Sequence, residues 1–233
     1  SLLSNGGNIT LGGNFTGTEG AGLYAASNRS GGSPGILINN ATLTAAGGNI
    51  NIYGKCNSSY DDGVRLQANI TTTGTGTIGI YGDAIGGFNG TQYFGGITFN
   101  NEISNIETDQ GNITLSGKLT STQSNNTYGI NFYRSSGLAS QIKHIQILSK
   151  TGAIQIIGDR GTTAAGGIGH SSWGDIYFGS PSNNSWLATG NVVFTYSSLV
   201  GAGLNGFKVK TKGAVTYQPV GTSFAAAETF PHL

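Results

Sequence analysis

Asp61 and Asp62, with Arg65 close behind them, form the densest cluster of chemistry-bearing residues in this 233-residue chain. Two carboxylates and a guanidinium are parts from which a polysaccharide-cleaving site can be built. A glycoside hydrolase holds two carboxylates about 5–9.5 Å apart, one giving a proton and the other attacking or activating water. Asp159-Arg160 is a second, smaller set. Against catalysis stands the local geometry. Neighbouring residues of a strand point to opposite faces, and Asp61-Asp62-Gly63 reads first as a turn. As a Ca²⁺ site, two carboxylates fall short of the about 6–8 oxygens that ion takes. The residues therefore read as non-catalytic and the chain as no enzyme, with a polysaccharide-cleaving enzyme as the alternative.

The other reactive side chains are scattered. His144, His170 and His232 show no metal-ligand spacing among themselves or with Cys56. No metal and no cofactor are expected. Cys56 is the one cysteine, so the chain holds no internal disulfide. Gly74-Thr-Gly-Thr-Ile-Gly79 and Gly201-Ala-Gly-Leu-Asn-Gly206 match the dinucleotide pattern, but they precede strands instead of opening a helix after one. Gly31-Gly-Ser-Pro-Gly35 matches a nucleophile elbow, but Pro34 does not suit a strand-to-helix turn.

Recognition chemistry has better candidates. Tyr93, Phe94 and Trp186 lie outside the regular strand patterns and could stack on sugars or anchor a protein partner. The competing reading is that such aromatics cover strand ends beneath loops. Asn-x-Ser/Thr acceptors are abundant, as an Asn-, Ser- and Thr-rich chain makes them. Asn57, Asn89, Asn112 and Asn125 are the reachable ones, in long loops or at an outward strand position.

Composition narrows the classes. Gly numbers 41 and Pro only 4, and charged residues make up 9%, against about 25% in an average soluble domain. Eleven basic against ten acidic residues leave a net charge of +1. No basic stripe is present, so nucleic acid is not an expected partner. No apolar run approaches the roughly 20 residues of a transmembrane helix. The chain starts at Ser1 and has no Met, so it reads as a processed product or a fragment.

What must position these residues is a repeat. The pattern Gly-x-[Ile/Val]-x-[Leu/Ile/Phe/Tyr] starts at Gly7, Gly48, Gly76, Gly111, Gly152, Gly174, Gly190 and Gly213. Apolar residues two apart share one face of a strand, and the leading glycine suits a sharp corner. A second pattern, glycine followed by apolar residues at the first and third positions, starts at Gly35, Gly63, Gly96, Gly129 and Gly206. A third short stretch follows it, as in Ala68-Asn-Ile-Thr71 and His144-Ile-Gln-Ile147. A short strand cannot bury its own apolar face, but stacked copies can. The expected fold is all-β: one parallel β-helix over residues 1–233, about three short strands per turn and about eight turns, irregular or capping from about 218.

The Gly-Asn-Ile-Thr-Leu strands, the Asn/Ser/Thr-rich turns and the stretch Gly213-Ala-Val-Thr-Tyr-Gln-Pro-Val-Gly-Thr-Ser-Phe224 resemble the repeat region of filamentous-haemagglutinin-like, two-partner-secretion adhesins. That resemblance implies a right-handed parallel β-helix, export to the bacterial surface or beyond, and a role as adhesin shaft or filament. The Asn-Pro-Asn motifs of that family's secretion domain are absent, so the chain reads as shaft. Expected partners are surface glycans or proteins of a host or neighbouring cell, or copies of itself end to end. A third reading, an ice-binding threonine array, meets an interrupted row: Asn51, Gly79, Gln155 and Tyr177 stand where threonines would be needed.

Overall fold

The computed structural model describes residues 1–12, 25–27, 33–57, 61–85, 94–100, 104–120, 127–133, 145–160, 166–170, 175–183, 185–197, 199–200 and 206–221. Its strands follow one another as turns of a solenoid. β1 (Leu2–Ser4) and β2 (Ile9–Leu11) open the stack. β3 (Ala25–Ser27), β4 (Ile36–Ala45) and β5 (Ile50–Cys56) come next, then β6 (Val64–Thr72) and β7 (Ile78–Ala84). The following turn is β8 (Phe94–Asn100), β9 (Ser104–Thr108) and β10 (Ile113–Leu119). After it come β11 (Thr127–Tyr133), β12 (Ile145–Ser149) and β13 (Ile154–Asp159). The last two are β14 (Ile168–His170), β15 (Ile176–Gly179), β16 (Val192–Tyr196), and β17 (Leu199–Val200), β18 (Phe207–Lys210), β19 (Val215–Pro219).

All pairing is parallel and runs in three columns. The first is β2-β5-β7-β10-β13-β16-β19. The second is β4-β6-β8-β11-β14-β17, and the third is β1-β4-β6-β9-β12-β15-β18. Thus each turn has three strand positions, and the chain is a parallel β-helix. Two of the three faces are joined, however. β4 and β6 are long strands that serve both the second and third columns, so those columns form one 11-stranded sheet that forks at β6. β4 turns between its halves at a register shift between Asn39 and Ala41, where Asn40 takes a φ of 50°.

The columns correct two motif assignments. Gly174-Asp-Ile-Tyr-Phe178 copies the first pattern, but its strand β15 pairs with β12 and β18 in the third column. Gly206-Phe-Lys-Val209 copies the second pattern, but β18 also lies in the third. The second-column strand of the β15 turn is β14, from Gly167-Ile-Gly-His170. A five-residue pattern reports strand and corner, not the column. Among the described residues the first column has seven rungs, not eight, with β2 and β3 both pairing with β5 on the first of them, giving a rise of about 30 Å at strand spacing.

The interior is a set of ladders. Ile50, Ile78, Ile113, Ile154 and Val192 form one, and Ile52, Ile80, Leu115, Ile156 and Phe194 the next; all are essentially inaccessible to solvent. Toward the last turns the filling becomes aromatic. Phe99 stacks on Phe132 at 4.9 Å, Phe178 meets Phe194 edge-on at 5.0 Å, and Phe194 stacks on Tyr217 at 5.1 Å. Each fully buried side chain of this kind contributes about 1.5–3 kcal/mol.

Side-chain polar ladders close the corners that lead into the first column. Thr72, Thr108, Ser149 and Thr211 donate their hydroxyls to the carbonyls of Gly48, Gly76, Gly111 and Gly190, each one turn below. Asn49, Asn112 and Asn191 use Oδ1 to accept the backbone N–H of Thr77, Ala153 and Ala214 in the turn above. Backbone groups at a corner have no strand partner, and these side chains supply one.

The leading glycines are needed for close approach, not for positive φ. Gly48, Gly76, Gly111, Gly152 and Gly190 all have ordinary φ. A Cβ on any of them would strike the carbonyl oxygen of the equivalent glycine in the previous turn. Gly111→Ala is therefore expected to cost at least about 2 kcal/mol through overpacking against a backbone that cannot move aside. Gly221→Ala, with nothing near its added methyl, is the control in chemical denaturation. Equal midpoints for the two variants would refute the close-approach argument.

Candidate functional site

Asp61, Asp62 and Arg65 do come together. Arg65 opens outward from β6, and its Nε donates to Asp62 Oδ2 at 2.6 Å while a terminal nitrogen donates to Asp61 Oδ1 at 2.5 Å. Asp62 Oδ1 accepts from the Gly95 N–H at 2.7 Å and from the Thr98 hydroxyl at 2.5 Å. Thr98 is the residue that β8 places beside Arg65. Asp62 is fully buried. Burial pushes its carboxyl up to about 6; the neighbouring Arg65 charge and the Thr98 and Gly95 hydrogen bonds act against the rise, and the Asp61 charge adds to it. Both carboxylates converge on one guanidinium instead of facing each other across the about 5–9.5 Å a glycoside needs. The arrangement clamps the connection into β6 against β8.

Asp159 and Arg160 part company. Asp159 stands in an outer row with Lys55, Asp83 and Lys118, one residue per turn with alternating sign. Lys55 and Asp83 form an ion pair at 3.1 Å. Arg160 is only 1% exposed, and burial lowers its pKa from the usual guanidinium value, opposed by Tyr128. The charge row escaped sequence reading, although a signal was present. Each member directly follows a strand glycine: Gly54, Gly82, Gly117 and Gly158. Those glycines abut the carbonyls of Gly63, Gly96, Gly129 and Gly167, so the two sheets meet there, and the residue directly after each glycine faces outward.

The remaining candidates separate by burial. Phe94 is 0% exposed and starts β8 opposite Thr127. This corrects its reading as a partner contact: the ring is enclosed within the protein. Trp186 is partly exposed, on a loop between β15 and β16. The ammonium of Lys150 lies 5.9 Å from its ring centroid. Asn57 is exposed just past the end of β5; Asn112 is exposed too, but its Oδ1 is committed to Ala153. Tyr93, Asn89 and Asn125 lie outside the described residues. Cys56 is buried with Ala84 and Leu119, its thiol toward the Ser33 carbonyl at 3.6 Å.

No protein-family model matches the chain, and neither the curated proteins nor the solved structures hold a match to it. Among the described residues no group of three His, Cys, Asp or Glu could hold a metal ion, and no helix is long and apolar enough to cross a membrane. The outer row of the first column reads Thr10, Asn51, Gly79, Thr114, Gln155, Val193 and Thr216. Val193 holds the rung that the repeat pattern assigned to Tyr177, because Tyr177 belongs to the third column. No two threonines are adjacent in that row.

Proposed function

We propose that this chain is a non-enzymatic segment of a secreted or bacterial cell-surface adhesin, a shaft of the filamentous-haemagglutinin-like kind that mediates attachment or self-association. The observation that carries the reading is the continuous parallel stack, whose first-column outer row, from Thr10 to Thr216, carries no charge. The side chains fit for acid–base work are spent instead on a structural clamp. Partners are glycans or proteins on host or neighbouring cells, or further copies of the chain. In end-to-end stacking, Ile9 and Leu11 of one copy would continue the ladders of Val215 and Tyr217 of another. Glycosylation at exposed Asn57 or Asn112 is compatible with a surface location.

Cells displaying the chain should adhere to host or neighbouring cells more than cells without it, and the purified chain should leave plant and bacterial polysaccharides intact. Light scattering over a concentration series reports self-association. Turnover of a polysaccharide that Asp61→Asn or Asp62→Asn abolishes would replace this reading by that of an enzyme.

A further inference from the structure

The loop between β15 and β16 is built to hold Trp186 in place. It leaves the solenoid at Ser180 and returns at Ala188. One buried hydroxyl ties the two ends: Ser180 Oγ donates to the Lys210 carbonyl at 2.7 Å and accepts the Ala188 N–H at 2.8 Å. The outgoing limb is pinned where the Ser182 N–H donates to Gln146 Oε1 at 3.2 Å. The turn is held by Asn183 Oδ1, which accepts the Ser185 N–H at 3.0 Å. A loop anchored at its base and outgoing limb loses little freedom when it binds.

Trp186 and Leu187 sit on the returning limb. Leu187 is 50% exposed and Trp186 partly so. The Lys150 ammonium lies over the indole at 5.9 Å. It is itself paired with Asp109 at 2.5 Å. Among the described residues the indole N–H makes no hydrogen bond.

We propose that this loop recognises a glycan, with Trp186 stacked on the C–H face of a neutral hexopyranose. A pyranose presents one apolar face and a rim of hydroxyls. An indole on a loop that also carries the small neutral polar residues Ser182, Asn183 and Ser185 can complement both. Asp109 pairs with the lysine at the ring, so among the described residues that contact offers an anionic sugar no uncompensated charge. Two apolar side chains fall far short of the about 800 Å² per partner of a stable protein–protein contact. The proposal rests on the surface reading above only in where the chain would meet glycans.

Trp186 is one of two tryptophans, so Trp173→Phe leaves it as sole reporter. Titration of that variant with neutral cello-, malto-, manno-, xylo- and chito-oligosaccharides should give a saturable change in emission with at least one of them, at concentrations on the order of millimolar. In saturation-transfer NMR, Trp186→Ala should weaken that binding about tenfold or more, Trp186→Phe less, with thermal unfolding unchanged in both. No response to any neutral sugar, response to anionic sugars alone, or binding unaltered in Trp186→Ala would each overturn the proposal. A cell-attachment assay separates it from the adhesin reading. Attachment that Trp186→Ala leaves intact sinks the loop alone, and sugar binding without attachment sinks the adhesin alone.

Discussion

Ile113→Asp should unfold its turn or the whole stack, while Thr114→Asp one residue later should be close to silent. Ile113 is inaccessible to solvent and lies between Ile78 and Ile154 in a ladder without polar partners. A carboxylate there replaces apolar contacts and must be buried unpaired or protonated, costing about 5 kcal/mol or more. That is comparable to the whole stability of an ordinary domain, about 5–15 kcal/mol. Thr114 faces outward between Gly79 and Gln155, and a charge there should change stability by no more than about 0.5 kcal/mol. Chemical denaturation of both variants tests the facing of β10. Comparable losses would mean that the assignment is wrong.

The second large effect is expected at Asp62. Asp62→Ala leaves the Gly95 N–H and the Thr98 hydroxyl without their acceptor and strips Arg65 of one of its two carboxylates, a loss of about 3–5 kcal/mol at neutral pH. The same carboxyl predicts a pH dependence of definite sign. Its folded pKa, about 6, is raised above the usual carboxylate range by burial. Between about pH 4 and 6 the folded chain keeps a proton that the unfolded chain has released, so stability falls as pH rises through this window. The cost is complete above pH 6 and amounts to about 3 kcal/mol. Asp62→Asn removes it, so the wild-type profile minus the variant profile should slope downward between pH 4 and 6 and flatten above. A flat difference would show that the carboxyl is not desolvated as the structure places it. Asp109 does not confuse the comparison, because the Lys150 hydrogen bond holds it below the usual carboxylate range.

The repeat made the strands legible because alternation of apolar and polar residues is a local property with a period of two. The same local rule places Ile113 inward and Thr114 outward. It could not say why glycine precedes the strands. The collision that excludes a Cβ at Gly111 is with Gly76, a residue one full turn away. The Asn of Gly-Asn-Ile is likewise explained only by the turn above, whose backbone N–H it accepts.

By itself the sequence determined that this chain is all-β, that its strands are short copies of one another, and that they stack as a parallel β-helix with about three per turn. Those features follow from composition and alternation, which act within a few residues. Only the tertiary structure decided the column of each strand, the fusion of two faces through β4 and β6, the burial of Phe94, and the convergence of Asp61 and Asp62 on Arg65. It alone brought Lys150 against the ring of Trp186. These depend on which residues of different turns share a rung. Turn lengths vary, so rung partners stand at no constant separation in the sequence, and the register is set instead by backbone pairing and by the glycine seams where the sheets close on each other.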